Sequence, residues 1–264
     1  MRLRYLSVMV AAAATVSLLA LSWAPASAQE KGKDEKKVRY PGAVRPTKAP
    51  PPGPPGPVPR QPDGKPDFSG LWNSQRELPG DAEPEMLPWA AALTKQRVEN
   101  YSADDPEARC VPGGVPRATP YHVQLVSTPT LLLTLYEGNI HTFRQIFLDR
   151  KEHLKITEPL WYGDSIGHWE GDTLVVDTIG LNDKFWFGMS GQPHTTQLHV
   201  TERYHRRDFG NLEVEVTIID PGTFTKPWVQ RRLATLETDW DMIEYVCNEN
   251  NQDPTRLVGE KDKH

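Results

Sequence analysis

Four side chains of this sequence could do acid–base or recognition chemistry if the fold gathers them: Glu202, His194, Asp164 and Arg144. Glu202 lies in residues 197–219, QLHVTERYHRRDFGNLEVEVTII, where apolar and polar residues alternate with the period of a β-strand. A three-residue loop at Asp208-Phe209-Gly210 pairs Arg207 with Asn211 and sets a hairpin register. One face then carries Leu198, Val200, Glu202 and Tyr204 against Leu212, Val214, Val216 and Ile218. The other carries His199, Thr201, Arg203 and His205 against Glu213, Glu215 and Thr217, with His205–Glu213 and Arg203–Glu215 as opposite-charge pairs. A two-residue turn slips the register by one and mixes the faces, so the pattern favours the longer loop. Glu202 is therefore an acid on an apolar face, where a carboxylate is costly unless paired or protonated. It is either a general acid–base or ligand-anchoring group, or the partner of an interior arginine. Arg144, alternating with Ile140, Thr142, Ile146 and Leu148, offers that partner.

The remaining candidates sit near turns. His194 follows Gly191-Gln192-Pro193 and can reach over the end of a barrel. Asp164 belongs to an aromatic and polar cluster with Trp161, Tyr162, His168 and Trp169, a composition that suits a sugar- or aromatic-binding cleft. The plainer reading puts the tryptophans in the core and makes Asp164 a hairpin cap. Residues 182–191 carry Phe185, Trp186, Phe187 and Met189, either a plug or an exposed lip, and are expected to form a lid over a pocket. The ligand-binding candidates are thus Arg144, Tyr204, Trp161, Trp169, Trp186 and Phe185, and the catalytic candidates Glu202, His194 and Asp164. His194, His199 and Glu202 invite a metal reading, but strand residues three apart face opposite ways, so no metal site is expected. The chain has no nucleophile elbow, P-loop, dinucleotide glycine motif or haem-attachment motif, and no cofactor is expected.

The elements that must position these groups are mostly strands. Residues 67–72, 121–127, 130–136, 140–148, 165–169, 173–178, 197–219, 229–238 and 242–248 read as strands or hairpins joined by short turns. Residues 87–100 give the one helix. With no βαβ alternation, a meander of this length closes into a barrel, which removes its open edges. The expected class is mainly all-β: an antiparallel barrel of about 8–10 strands with one N-terminal helix. Around it, residues 1–28 read as a signal peptide, with Arg2 and Arg4, an apolar run and Ala26-Ser27-Ala28 before the cleavage point. Residues 29–65 read as a charged and proline-rich disordered linker, 66–250 as the barrel domain and 251–264 as a polar tail. The destination is periplasmic or secreted, with no stable membrane insertion after signal cleavage.

Two cysteines, Cys110 and Cys247, in an oxidising compartment point to a disulfide, with a thiol nucleophile as the alternative. Removing Arg2 and Arg4 takes the net charge from −5 to −5 − 2 = −7, which argues against nucleic acid as a partner. Oligomeric state is not legible.

Several blocks resemble a group of uncharacterised secreted bacterial proteins: Pro66-Asp67-Phe68-Ser69-Gly70-Leu71-Trp72, Cys110 to Arg117, Gly163 to Thr178, Pro193 to Arg203 and Asp220 to Trp228. Asp149-Arg150-Lys151-Glu152-His153 departs from that pattern, which has a glycine after the aspartate. Gly70-Leu71-Trp72 also resembles the first strand of lipocalins, which implies a lipocalin-like barrel able to hold a small ligand. The arginine that lipocalins stack on this tryptophan has no counterpart in residues 244–247. The expected function is binding of a small, largely apolar molecule. The alternatives are a lyase, isomerase or hydrolase using Glu202 or His194 as acid–base with Asp164 or Arg144 orienting the substrate, and an envelope interaction protein holding a partner through its proline-rich arm and the Phe185–Met189 loop.

Overall fold

The computed structural model describes residues 48–73, 75–117, 121–138 and 142–249. The expected signal peptide, the first part of the expected linker and the C-terminal tail lie outside them. The described chain is a closed, mostly antiparallel β-barrel with one α-helix. Its strands are β1 (Gly70–Trp72), β2 (Arg76–Glu77), β3 (Val123–Ser127), β4 (Leu131–Tyr136), β5 (Thr142–Phe147), β6 (Asp164–Glu170), β7 (Thr173–Ile179), β8 (His199–Asp208), β9 (Asn211–Ile219) and β10 (Trp228–Glu237). Neighbours in sequence are neighbours in the ring, β10 pairs back onto β1, and β2 continues along the same edge of β10. Nine strands therefore close the ring. A ring with every pair antiparallel needs an even number of strands, so an odd ring must contain a parallel pair. Here it is β5 with β6, through Ile146–Ser165 and Phe147–Ile166 alone. The β1–β10 joint is equally short, Leu71–Glu237 and Trp72–Leu236.

Period-two alternation fills the inside of the barrel. Leu132, Ile146, Leu174, Val176, Val200, Val214, Val216 and Ile218 are all buried there. The β8–β9 hairpin keeps the register read from the sequence: Glu202 opposes Val216, Arg203 opposes Glu215 and His205 opposes Glu213. The turn differs. Asp208 pairs with Asn211 across a two-residue connection, and a bulge at Arg207 absorbs the slip that such a turn would otherwise impose. Asp208 supports the tight turn by accepting from the Gly210 amide at 3.1 Å and from Asn211 Nδ2 at 2.6 Å. Arg203 bonds Glu170 at 2.8 Å rather than its register partner, and Glu213 takes Arg207 at 2.9 Å.

The inner face of β8 continues one step beyond Tyr204, to Arg206. Its guanidinium lies 4.9 Å from the Trp72 ring centroid and donates to the carbonyls of Asp67 and Phe209. The arginine stacked on the β1 tryptophan thus comes from β8 and not from the C-terminal segment. The helix α1 (Pro88–Glu99) forms as expected, with Pro88 at its first turn and Ala90, Thr94 and Val98 buried.

Residues 242–248 are not a strand. The ring is already closed by β1 on the edge of β10, so no ladder position remains for them. They form a strap instead. Tyr245 packs on Tyr121, Trp240 on His122, the Ile243 amide donates to Glu137 at 3.1 Å, and Cys247 is bonded to Cys110. At the other end of the chain, Gly53 donates to Asn211 at 2.8 Å and Phe209 to the Gly56 carbonyl at 2.9 Å, so the proline-rich stretch lies on the β8–β9 turn. No helix among the described residues is long and apolar enough to cross a membrane.

The disulfide spans 137 residues. In the chain-entropy account a loop of that size lowers unfolded-state entropy by about 4–5 kcal/mol at room temperature. Replacing both cysteines by serine is expected to lower unfolding free energy by about that amount in urea titrations and to make residues 240–249 the first site of limited proteolysis. An unchanged midpoint would remove the staple from the account of stability.

Candidate functional site

The inward faces of β4, β5, β6, β7 and β8 bring one charged network together inside the barrel. Arg144 and Glu202 are 4% and 3% exposed. Arg144 Nη2 donates to Glu202 Oε2 at 2.5 Å and to Thr178 Oγ1 at 2.8 Å, while its Nε donates to Ser165 Oγ at 3.2 Å. The Tyr204 hydroxyl donates to Glu202 Oε1 at 2.8 Å. Ser165 and Thr178 face each other at 3.0 Å. Glu202 thus solves its burial as an ion pair, with both oxygens engaged. Burial works against the Arg144 charge, but Glu202, Tyr204 and Tyr136 outweigh it and hold the guanidinium above its ordinary range. Burial also pushes the Tyr136 hydroxyl up to about 12 and the Tyr204 hydroxyl well above its usual value, so both remain proton donors at neutral pH.

This network forms one side of a cavity of about 50 Å³. Trp72, Val123, Leu125, Leu212 and Ala234 supply an apolar wall, and Gly114 to Arg117 of the loop before β3 cover it. Asn73 and Gln75, both partly exposed, mark where it nears the surface. One water needs roughly 10–15 Å³ of such space and drug-sized ligands occupy pockets of roughly 300–1,000 Å³, so this cavity admits a group of a few heavy atoms.

The other catalytic candidates lie apart from it. Asp164 precedes Ser165 on β6 and so points to the outside of the barrel. It takes Arg150 at 3.0 Å, His153 Nδ1 at 2.9 Å and the Leu154 amide at 3.1 Å, fixing the segment between β5 and β6. His153 Nε2 meets Asp177 at 2.8 Å, and Asp177 meets His199 at 2.5 Å, so two aspartates and two histidines alternate along the barrel surface. His194 is packed 4.1 Å from the Phe185 ring and 5.0 Å from that of Phe187, and burial lowers its pKa. Its Nδ1 lies 3.3 Å from the Thr195 carbonyl and its Nε2 has no hydrogen-bond partner.

Of the six ligand-binding candidates, Arg144 and Tyr204 line the cavity; Trp161, Trp169, Trp186 and Phe185 do not. Trp169 stacks on Phe68 at 5.4 Å, and Trp161 packs on the core. Residues 182–191 are a plug and not a hinged lid: Phe185, Trp186 and Phe187 are buried and only Met189 of the four apolar residues is exposed. Gly114 makes room for the plug, since a Cβ there would lie 2.4 Å from the Phe185 ring. Arg97 stacks on Trp186 at 4.2 Å. Sequence reasoning missed Trp72 as a wall, the covering loop 114–117, Tyr136 and Arg232. Strand alternation was the available signal for the last two, because Arg232 shares its face with Trp228, Gln230 and Ala234. Among the described residues no group of three or more histidine, cysteine, aspartate or glutamate side chains is arranged to hold a metal ion.

No protein-family profile and no curated protein matches this chain. Among solved structures it is similar to crystal structures of the fluorescent protein UnaG. The wild-type structure is 13% identical, with 64% of this chain and 97% of that one covered at a TM-score of 0.30. A single-site variant gives 14%, 65%, 97% and 0.31.

Two predictions follow from these geometries. Breaking a buried ion pair leaves the other charge uncompensated, so Glu202→Gln is expected to cost about 3–5 kcal/mol in urea unfolding. Replacing Arg144 by Met together with Glu202 by Leu should recover most of that loss, and additive losses would contradict the pairing. The surface relay sets a pH window. The His199 hydrogen bond outweighs partial burial and lowers Asp177 from 3.8 to about 2, so its contribution to stability is complete above about 3.8 and fades as pH falls toward 2. The same bond raises His199 above 6.5, so its contribution is complete below 6.5 and fades as pH rises through the raised value. Melting temperatures of Asp177→Asn between pH 2 and 9 should fall short of wild type most between about 4 and 6.5, with the gap narrowing on both sides.

Proposed function

We propose that this chain is a secreted, disulfide-stapled barrel that binds a small molecule in its interior cavity. The observation that carries the reading is the cavity itself: a closed barrel whose interior is not filled to the end, with an apolar wall on one side and fixed hydrogen-bonding groups on the other. Ligand sites are built on this plan, largely apolar with a few convergent polar groups. The volume supports a small ligand, or the buried end of a larger one, and the wall supports the expected apolar contact. The signal-like N-terminus and the Cys110–Cys247 bond support an oxidising compartment, the periplasm or the outside of the cell.

Binding is favoured over acid–base catalysis because the three catalytic candidates share neither a partner nor the cavity. Glu202 has both oxygens occupied, His194 is enclosed by phenylalanines, and Asp164 holds a surface segment. An interaction role for the proline-rich arm is disfavoured over residues 53–56, which are engaged with the β8–β9 turn.

Native mass spectrometry of the mature protein taken from its own envelope is expected to show a co-purifying small mass that denaturation releases. Ala234→Leu, which adds bulk inside the cavity at a folding cost of about 1–3 kcal/mol, should abolish that mass while leaving a cooperative unfolding transition. A bare wild-type mass, or a ligand retained by the filled variant, would place function outside the cavity.

A further inference from the structure

Three guanidiniums line the cavity, and they are not equally matched. Arg117 forms two bonds with Asp105, at 3.0 and 2.8 Å, and lies 2.6 Å from Glu107. Arg144 is paired with Glu202. Arg232, 3% exposed, has no described carboxylate within the 4.0 Å of an ion pair. Its Nη1 donates to the Pro116 carbonyl at 2.5 Å and its Nη2 to the amide oxygen of Gln230, both neutral acceptors. Its Nε is buried with no hydrogen-bond partner. Glu77, its register partner on β2, and Glu202 across the cavity act on it only through space. A guanidinium buried without a counter-charge is strongly unfavourable, and the alternation of β10 leaves this one no route outward.

We infer that Arg232 is the anchor for the carboxylate of a small organic acid bound in the cavity. This rests on the small-molecule reading above and names its chemical class. Arg232 is the one of the three whose hydrogen-bond partners are all neutral, and a planar guanidinium matches a carboxylate edge. Trp72, Leu125 and Leu212 suit carbon beside it. At about 50 Å³ the cavity takes a carboxylate and one or two carbons. The acid is either short and free, or the head of a longer chain that leaves past Asn73 and Gln75.

Isothermal titration of the dialysed mature protein with acetate, octanoate, acetamide, 1-octanol and inorganic phosphate tests this. The expected result is that at least one acid binds about tenfold or more tightly than its neutral counterpart, as a charge-assisted bond requires. Arg232→Gln should lose that preference without a lower melting temperature, since it removes an uncompensated charge, and Arg232→Lys should keep part of it. Binding of acetate identifies short free acids, and binding of octanoate alone identifies a longer chain. Equal binding of octanoate and 1-octanol would overturn the carboxylate while sparing the cavity as a ligand site. Preference for phosphate would overturn it likewise. Silence from all five probes overturns the acid, and a bare native mass alongside it overturns the binding reading too. Should the glutamine variant fail to fold, the acid–neutral comparison in wild type and the lysine variant still decide.

Discussion

The Arg144–Glu202 pair is the constraint around which the barrel interior is arranged. Two opposite charges at 2.5 Å in a nearly dry interior are tolerable only when their remaining hydrogen-bonding capacity is also met. Thr178, Ser165 and Tyr204 are present on three neighbouring strands to meet it. Such a cluster cannot be packed over by branched aliphatic side chains as the rest of the interior is. The cavity lies where the aliphatic packing stops and the polar groups begin.

The pair also spans the barrel. Counted from its two short joints, the ring is a four-strand part, β1, β3, β4 and β5, and a five-strand part, β6 to β10. Arg144 belongs to the first, and Glu202, Ser165 and Thr178 to the second. Other long-range ties repeat the pattern: Arg206 of β8 reaches Trp72 of β1, and the strap carrying Cys247 returns to Cys110 before β3. Next to the parallel joint, Tyr162 stacks at 5.3 Å on Tyr136, the β4 residue paired with Thr142 at the start of β5.

Much of this was legible in the sequence where a local rule decides. Period-two alternation with charge pairing gave the β8–β9 register and put Glu202 inside, and the same alternation in residues 140–148 offered Arg144 as its partner. What failed was what depends on the whole ring. Residues 242–248 have a strand's composition but no free edge to join. Residues 182–191 read as a lid over a pocket, and only the placement of Gly114 and the loop around it makes them a plug. The bulge at Arg207 was hidden because the register it preserves is the one a longer turn also gives. Arg232 was not singled out, although of two adjacent arginines on a strand one must face inward.

An odd-numbered ring has a mechanical consequence. Two residue pairs at each joint hold the two parts edge to edge, whereas β8 and β9 alone share nine. The ring is thus two leaves whose seams carry far less ladder than their interiors. Because the Arg144–Glu202 pair crosses from one leaf to the other, side chains that line the cavity also tie the two leaves together.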